Sequence, residues 1–113
     1  RQFLTDPSCP EQALQAALLA LSVHGNDGVR LSRERVIQAY AALIRHNPAR
    51  AGLVASDLGN WERWEFATDF AAILKSGTLQ AFASRYGMVF YLMRNPTPAA
   101  REALQALRAA NLL

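Results

Sequence analysis

Apolar residues recur through this chain at helical spacing, and that recurrence restricts its fold more than any other feature. Val36, Ile37, Tyr40, Leu43 and Ile44 stand at i, i+1, i+4, i+7 and i+8, the stripe of a helix with one buried face. A half-buried strand would alternate with a period of two instead. Related spacings return in Leu14, Ala17, Leu18 and Leu21, in Phe66, Phe70, Ile73 and Leu74, and in Ala100, Ala103, Leu104 and Leu107. Ala and Leu supply 37 of the 113 residues while β-branched residues are sparse, a balance that favours helix over sheet. The expectation is an all-α protein, a compact bundle of five to six helices forming a single domain over residues 1–113, a length suited to one core.

Caps and breakers divide the chain. Ser8 with Glu11 three residues on, and Pro10 between, predicts a capping box that starts a helix over residues 9–23. His24-Gly-Asn-Asp-Gly28 should end it. Ser32 caps a second helix that stops at His46, and Asn47-Pro48 restarts a short one through Val54. A loop is expected over Ser56 to Gly59, followed by a helix from Trp61 to Lys75 capped by Asn60 and closed by Gly77. Thr78 caps a further helix whose inner stripe reads Leu79, Phe82, Ala83, Tyr86, Phe90 and Met93. Within it Gly87 is an interruption, and Met88 to Met93 reads as helix or as a buried strand. Thr97-Pro98 opens the last helix, which ends at Asn111. The core predicted from these faces is Leu14, Leu18, Leu21, Ile37, Tyr40, Ile44, Phe66, Phe70, Ile73, Phe82, Phe90 and Leu104.

The longest apolar run, Met88 to Met93, is six residues, far short of the ~20 needed to span a bilayer, so no membrane segment is expected. One cysteine, Cys9, cannot form an internal disulfide, and with only His24 and His46 beside it no four-ligand zinc site arises from Cys and His. A reducing, cytoplasmic setting and no cofactor follow as expectations. Glycine-rich phosphate loops, His-Glu-x-x-His and nucleophile elbows are absent from the sequence. The one acidic grouping, Glu62, Glu65 and Asp69, falls at i, i+3 and i+7 of the expected fourth helix; it would present carboxylates to a metal or stabilise a helix N-terminus.

Two other groupings suggest binding. Opposite the Phe66 stripe, Trp61 and Trp64 fall on a second apolar face with Thr68 and Ala71, and tryptophan is enriched at interface hot spots. The net charge is +3, eleven of twelve basic residues are Arg, and Arg30, Arg33, Arg35, Arg45 and Arg50 cluster in one stretch as candidate nucleic-acid contacts.

Two local stretches resemble known families. Thr97-Pro-Ala-Ala-Arg-Glu-Ala-Leu-Gln-Ala-Leu-Arg-Ala-Ala-Asn-Leu-Leu113 resembles the recognition helix of winged-helix repressors of the GntR class, with Ala83 and Gly87 at helix-turn-helix spacing ahead of it. That resemblance implies DNA binding, although Met88 to Met93 intervene where a short polar turn is usual. Ile44-Arg-His-Asn-Pro-Ala-Arg-Ala-Gly-Leu-Val54 is similar to a short stretch of REP-associated tyrosine transposases. Leu43 occupies the position of that family's tyrosine and the upstream His-x-His is missing, so the similarity implies no activity.

The leading expectation is a non-enzymatic protein–protein interaction module, a small bacterial regulator or adaptor of the antiactivator kind, with a protein partner bound through Trp61 and Trp64 and a homodimer as one form of it. The alternative is a DNA-binding regulator with a helix-turn-helix-like C-terminal half. An enzyme using Glu62, Glu65 and Asp69 comes last.

Overall fold

Every regular element in the described residues is helical, in agreement with the period of the apolar residues. The computed structural model describes residues 8–27, 33–77 and 82–112, and among them there are six α-helices, two 3-10 segments and no strand. The protein is all-α. No helix in the described residues is long and apolar enough to cross a membrane. The chain divides into two compact units, residues 1–47 and 48–113, each taken by itself below.

The first unit pairs α1 (Glu11–Asp27) with α2 (Arg33–His46). Leu14, Leu18, Val36, Ile37, Tyr40, Leu43 and Ile44 are buried, as is Cys9, while Leu21, expected in the core, is only half-buried. α1 continues through His24, Gly25 and Asn26, past its expected stop. Gly25 is buried, and its carbonyl, one of those a helix end leaves without an intrahelical donor, accepts from Arg33 Nε at 3.0 Å. That tertiary contact outweighs the ~1 kcal/mol that glycine costs inside a helix. The Glu11 side chain and the Ser32 cap lie outside the described residues.

In the second unit Pro48–Val54 is a 3-10 segment, as the Asn-Pro restart requires. The chain then forms α3 (Ala55–Asn60) where a loop was expected. Its apolar residues carry it, for Ala55 and Leu58 are buried. α3 ends where the next helix was expected to begin. Arg63 N–H donates to the Leu58 carbonyl at 2.8 Å and Glu62 N–H to Gly59 at 3.0 Å, with Glu62 left-handed at φ 57. Those paired bonds around a left-handed residue are a Schellman closure. The single helix predicted over 61–75 is therefore a turn, a 3-10 segment at Trp64–Phe66 and α4 (Ala67–Lys75).

α5 (Phe82–Arg94) runs without a break through Gly87, so Met88 to Met93 is helix and not strand. The residues predicted to cap and open it, Thr78 and Leu79, lie outside the described residues. α6 (Pro98–Ala109) begins as predicted: Thr97 Oγ1 accepts from Ala100 N–H at 3.4 Å and Pro98 fills the first turn. It closes with a second Schellman arrangement, Leu112 N–H to Leu107 and Asn111 N–H to Arg108, around Asn111 at φ 60.

Phe66, Phe70, Ile73, Met88, Tyr91, Leu92 and Leu107 form the core of this unit. α5 differs most from the sequence expectation, because it buries Ser84, Met88, Tyr91 and Leu92 and turns Phe82 and Phe90 to solvent. The physical cause is a close crossing. Gly52 N–H donates to Ser84 Oγ at 3.0 Å, and a β-carbon added to Gly87 would sit 2.3 Å from the Gly52 carbonyl oxygen. Only small side chains fit at that crossing, so the side of α5 carrying Phe82, Tyr86 and Phe90 is turned away from it, while Met88, Tyr91 and Leu92 pack beside it. Leu104, also expected inside, is half-buried.

Candidate docking surface

Along the outer side of α5, Phe82, Tyr86 and Phe90 stand four residues apart and stack. The first two rings are 6.1 Å apart and 17° from parallel, the next two 5.7 Å and 12°. Arg94 continues the ladder, its guanidinium carbon 5.9 Å from the Phe90 ring centre, within reach of a cation–π contact. The exposed fractions of Phe82, Tyr86, Phe90 and Met93 are 82%, 58%, 46% and 64%. A monomeric surface scatters such residues singly; four on one helix form a patch.

Beside the ladder lies an open groove of about 340 Å³ lined by Phe82, Arg85, Tyr86, Val89, Met93, Leu104 and Arg108. Arg85 donates to the Leu112 carbonyl, which ties the segment following α6 to α5. Among the described residues, the groove lining carries two guanidinium groups and no carboxylate.

Behind α5 a polar net fixes the helix. Tyr91 hydroxyl donates to the Arg63 carbonyl at 2.5 Å and accepts from Phe66 N–H at 3.2 Å. Burial pushes its phenol up from 10.0 to about 12, with the Glu65 and Asp69 charges adding to the rise and the Phe66 N–H and Arg63 opposing it. Asn95, itself buried, donates from Nδ2 to the Trp64 carbonyl at 3.1 Å and accepts from Thr97 N–H and Oγ1 at 2.9 and 2.8 Å. No buried side-chain nitrogen or oxygen among the described residues lacks a partner.

The tryptophans do not share a helix face, since Trp61 follows α3 and Trp64 opens a 3-10 segment. Both are half-buried, and the Trp64 ring packs against Tyr91 at 5.5 Å. Ala71, expected beside them, is buried. The acidic trio is likewise dispersed over a left-handed turn, a 3-10 segment and the first turn of α4, and no group of three or more His, Cys, Asp or Glu able to hold a metal occurs among the described residues. Glu65 is engaged by Arg63 at 2.8 Å. Partial burial works to raise its carboxyl, yet the hydrogen bond from Arg63, its own backbone N–H and the Arg63 charge hold it below 4.5. Of the basic stretch, Arg33, Arg35 and Arg45 lie on α2 and are exposed, and Arg50 belongs to the second unit. Arg30 lies outside the described residues.

Sequence reasoning missed the outward direction of the ladder. The available signal was Ser84 with Gly87, two small residues three apart that mark a close crossing on the opposite side of α5. Comparison of the chain with family models, with curated proteins and with solved structures gives no match.

Proposed function

We propose that this chain is a non-enzymatic protein-docking module, a regulator or adaptor, that receives its partner on α5 and the adjoining groove. The observation that carries this reading is the exposed stack of Phe82, Tyr86 and Phe90, continued by Met93. Aromatic residues are favoured anchors because they bring large contact area. Trp61 and Trp64 remain a second candidate surface, though their half-burial leaves less area to offer than the ladder does.

The test compares capture of partners by the wild-type chain, by Tyr86→Ser/Phe90→Ser and by Trp61→Ala/Trp64→Ala, with circular dichroism verifying each fold. Loss of a captured protein only in the ladder variant is expected, each true anchor being worth about 2 kcal/mol or more of binding energy. Capture that survives in the ladder variant refutes the reading, and loss confined to the tryptophan variant moves the surface to Trp61 and Trp64.

One observation favours a DNA-binding alternative. Asn95, Pro96 and Thr97 alone separate α5 from α6, and Arg101, Gln105 and Arg108 are exposed at i, i+4 and i+7 of α6, residue types that read base edges or contact phosphates. Binding of a DNA duplex that falls steeply with salt and is lost in Arg101→Ala would support it.

A further inference from the structure

We infer that the groove between α5 and α6 takes an amphipathic helix bearing acidic residues along the edges of its apolar stripe. This rests on the docking reading above and names the chemistry of the partner.

Phe82, Tyr86, Val89 and Met93 line the groove at i, i+4, i+7 and i+11 of α5, a row about 16 Å long at the helical rise. A row of that period and length matches the i, i+3, i+4, i+7 anchors of a helix lying in a groove. Leu104 of α6 supplies the far wall. The edges are cationic. Arg85 and Arg108 stand in the groove lining and Arg94 reaches over Phe90 at the end of the ladder, while α5 has no acidic residue at all. On α6 the one acid is Glu102, two positions from Leu104 and so on the other side of that helix.

Those charges also separate the possible occupants. A second copy docking by the same face would set arginines against arginines, because a two-fold interface brings each patch against itself, and like charges facing one another oppose association. An apolar helix with glutamates on both flanks meets the arginines with opposite charge.

The inference is tested with two labelled peptides of about 16 residues, a length of four to five helical turns. Both carry leucine at i, i+3, i+4, i+7, i+8 and i+11; one has glutamate and the other lysine at the flanking positions. Fluorescence anisotropy should give binding of the glutamate peptide at least roughly tenfold tighter than the lysine peptide, weakening with salt, and Arg108→Glu should cancel that preference. Equal binding of both peptides, abolished by Tyr86→Ser in the groove lining, would leave the docking surface standing and overturn the acidic partner. If neither peptide binds and sedimentation finds a dimer that Tyr86→Ser dissociates, a second copy is the occupant and the inference fails. If neither binds and the chain is monomeric, both the inference and the docking reading fall.

Discussion

Replacing Gly87 by Ala sets two well-understood effects against each other. The substitution lies inside α5, where exchanging glycine for alanine gains about 1 kcal/mol of helix propensity. Against this, the added carbon would lie 2.3 Å from the Gly52 carbonyl oxygen, so α5 and the Pro48–Val54 segment must part by about 1 Å to reach ordinary contact. The obstacle is backbone, which no rotamer change relieves. Overpacking of this kind costs about 1–3 kcal/mol, and separation also stretches the buried bond from Gly52 N–H to Ser84 Oγ, whose loss costs about 1–3 kcal/mol. The net expectation is destabilisation by about 1–5 kcal/mol, read from urea unfolding followed by circular dichroism at unchanged slope. Ala83→Gly, at an exposed position of the same helix, measures propensity alone and should cost about 0.5–1 kcal/mol. A Gly87→Ala protein as stable as wild type, or more stable, would refute the close crossing and with it the account of why Phe82 and Phe90 face outward.

Phe70 is fully buried and lies edge-on to Tyr91 at 4.8 Å, so Phe70→Ala should cost about 3–5 kcal/mol, whereas Phe82→Ala on the exposed ladder should stay within about 0.5 kcal/mol; similar melting temperatures for the two would contradict the orientation of α4 and α5. Tyr91 adds a pH dependence of definite sign. Its folded pKa is raised from 10.0 to about 12, so the unfolded chain loses this proton first, and the contribution is complete below pH 10 and disappears as pH rises toward 12. Tyr91→Phe should lower stability at neutral pH by about 1–3 kcal/mol through loss of its bonds to the Arg63 carbonyl and from Phe66 N–H, and should flatten the alkaline decline; a decline of wild-type steepness in that variant would assign the effect to other groups.

What the sequence made legible follows from whether a signal was local. The α2 face, the Asn47-Pro48 restart and the Thr97-Pro98 start rest on neighbouring residues alone, and each appears where the pattern put it. The errors arise where distant contacts decide. Gly25 reads as a stop, but Arg33 holds its carbonyl from eight residues away. Asn60 reads as a cap for a following helix, but α3 closes on Glu62 in a left-handed conformation that sequence rules give mainly to glycine or asparagine. Taking the Phe82, Tyr86 and Phe90 stripe of α5 as its core face ignored that Gly52, 35 residues before Gly87, permits only small groups where it crosses this helix. The candidate surface was hidden by the same error, since the ring stack taken for core is the part turned to solvent.

The crossing at Gly52, Ser84 and Gly87 also governs the entropy of recognition. With its inner side held by a backbone contact and a buried hydrogen bond, α5 has no freedom to roll about its axis, and Tyr91 fixes it again one turn further on. The ladder therefore stands at one azimuth, and each ring limits the rotamers of the next. Ordering a side chain on binding ordinarily costs about 0.5–1.5 kcal/mol. For Phe82, Tyr86 and Phe90 much of that loss occurs during folding, so a partner meets a surface already preorganised.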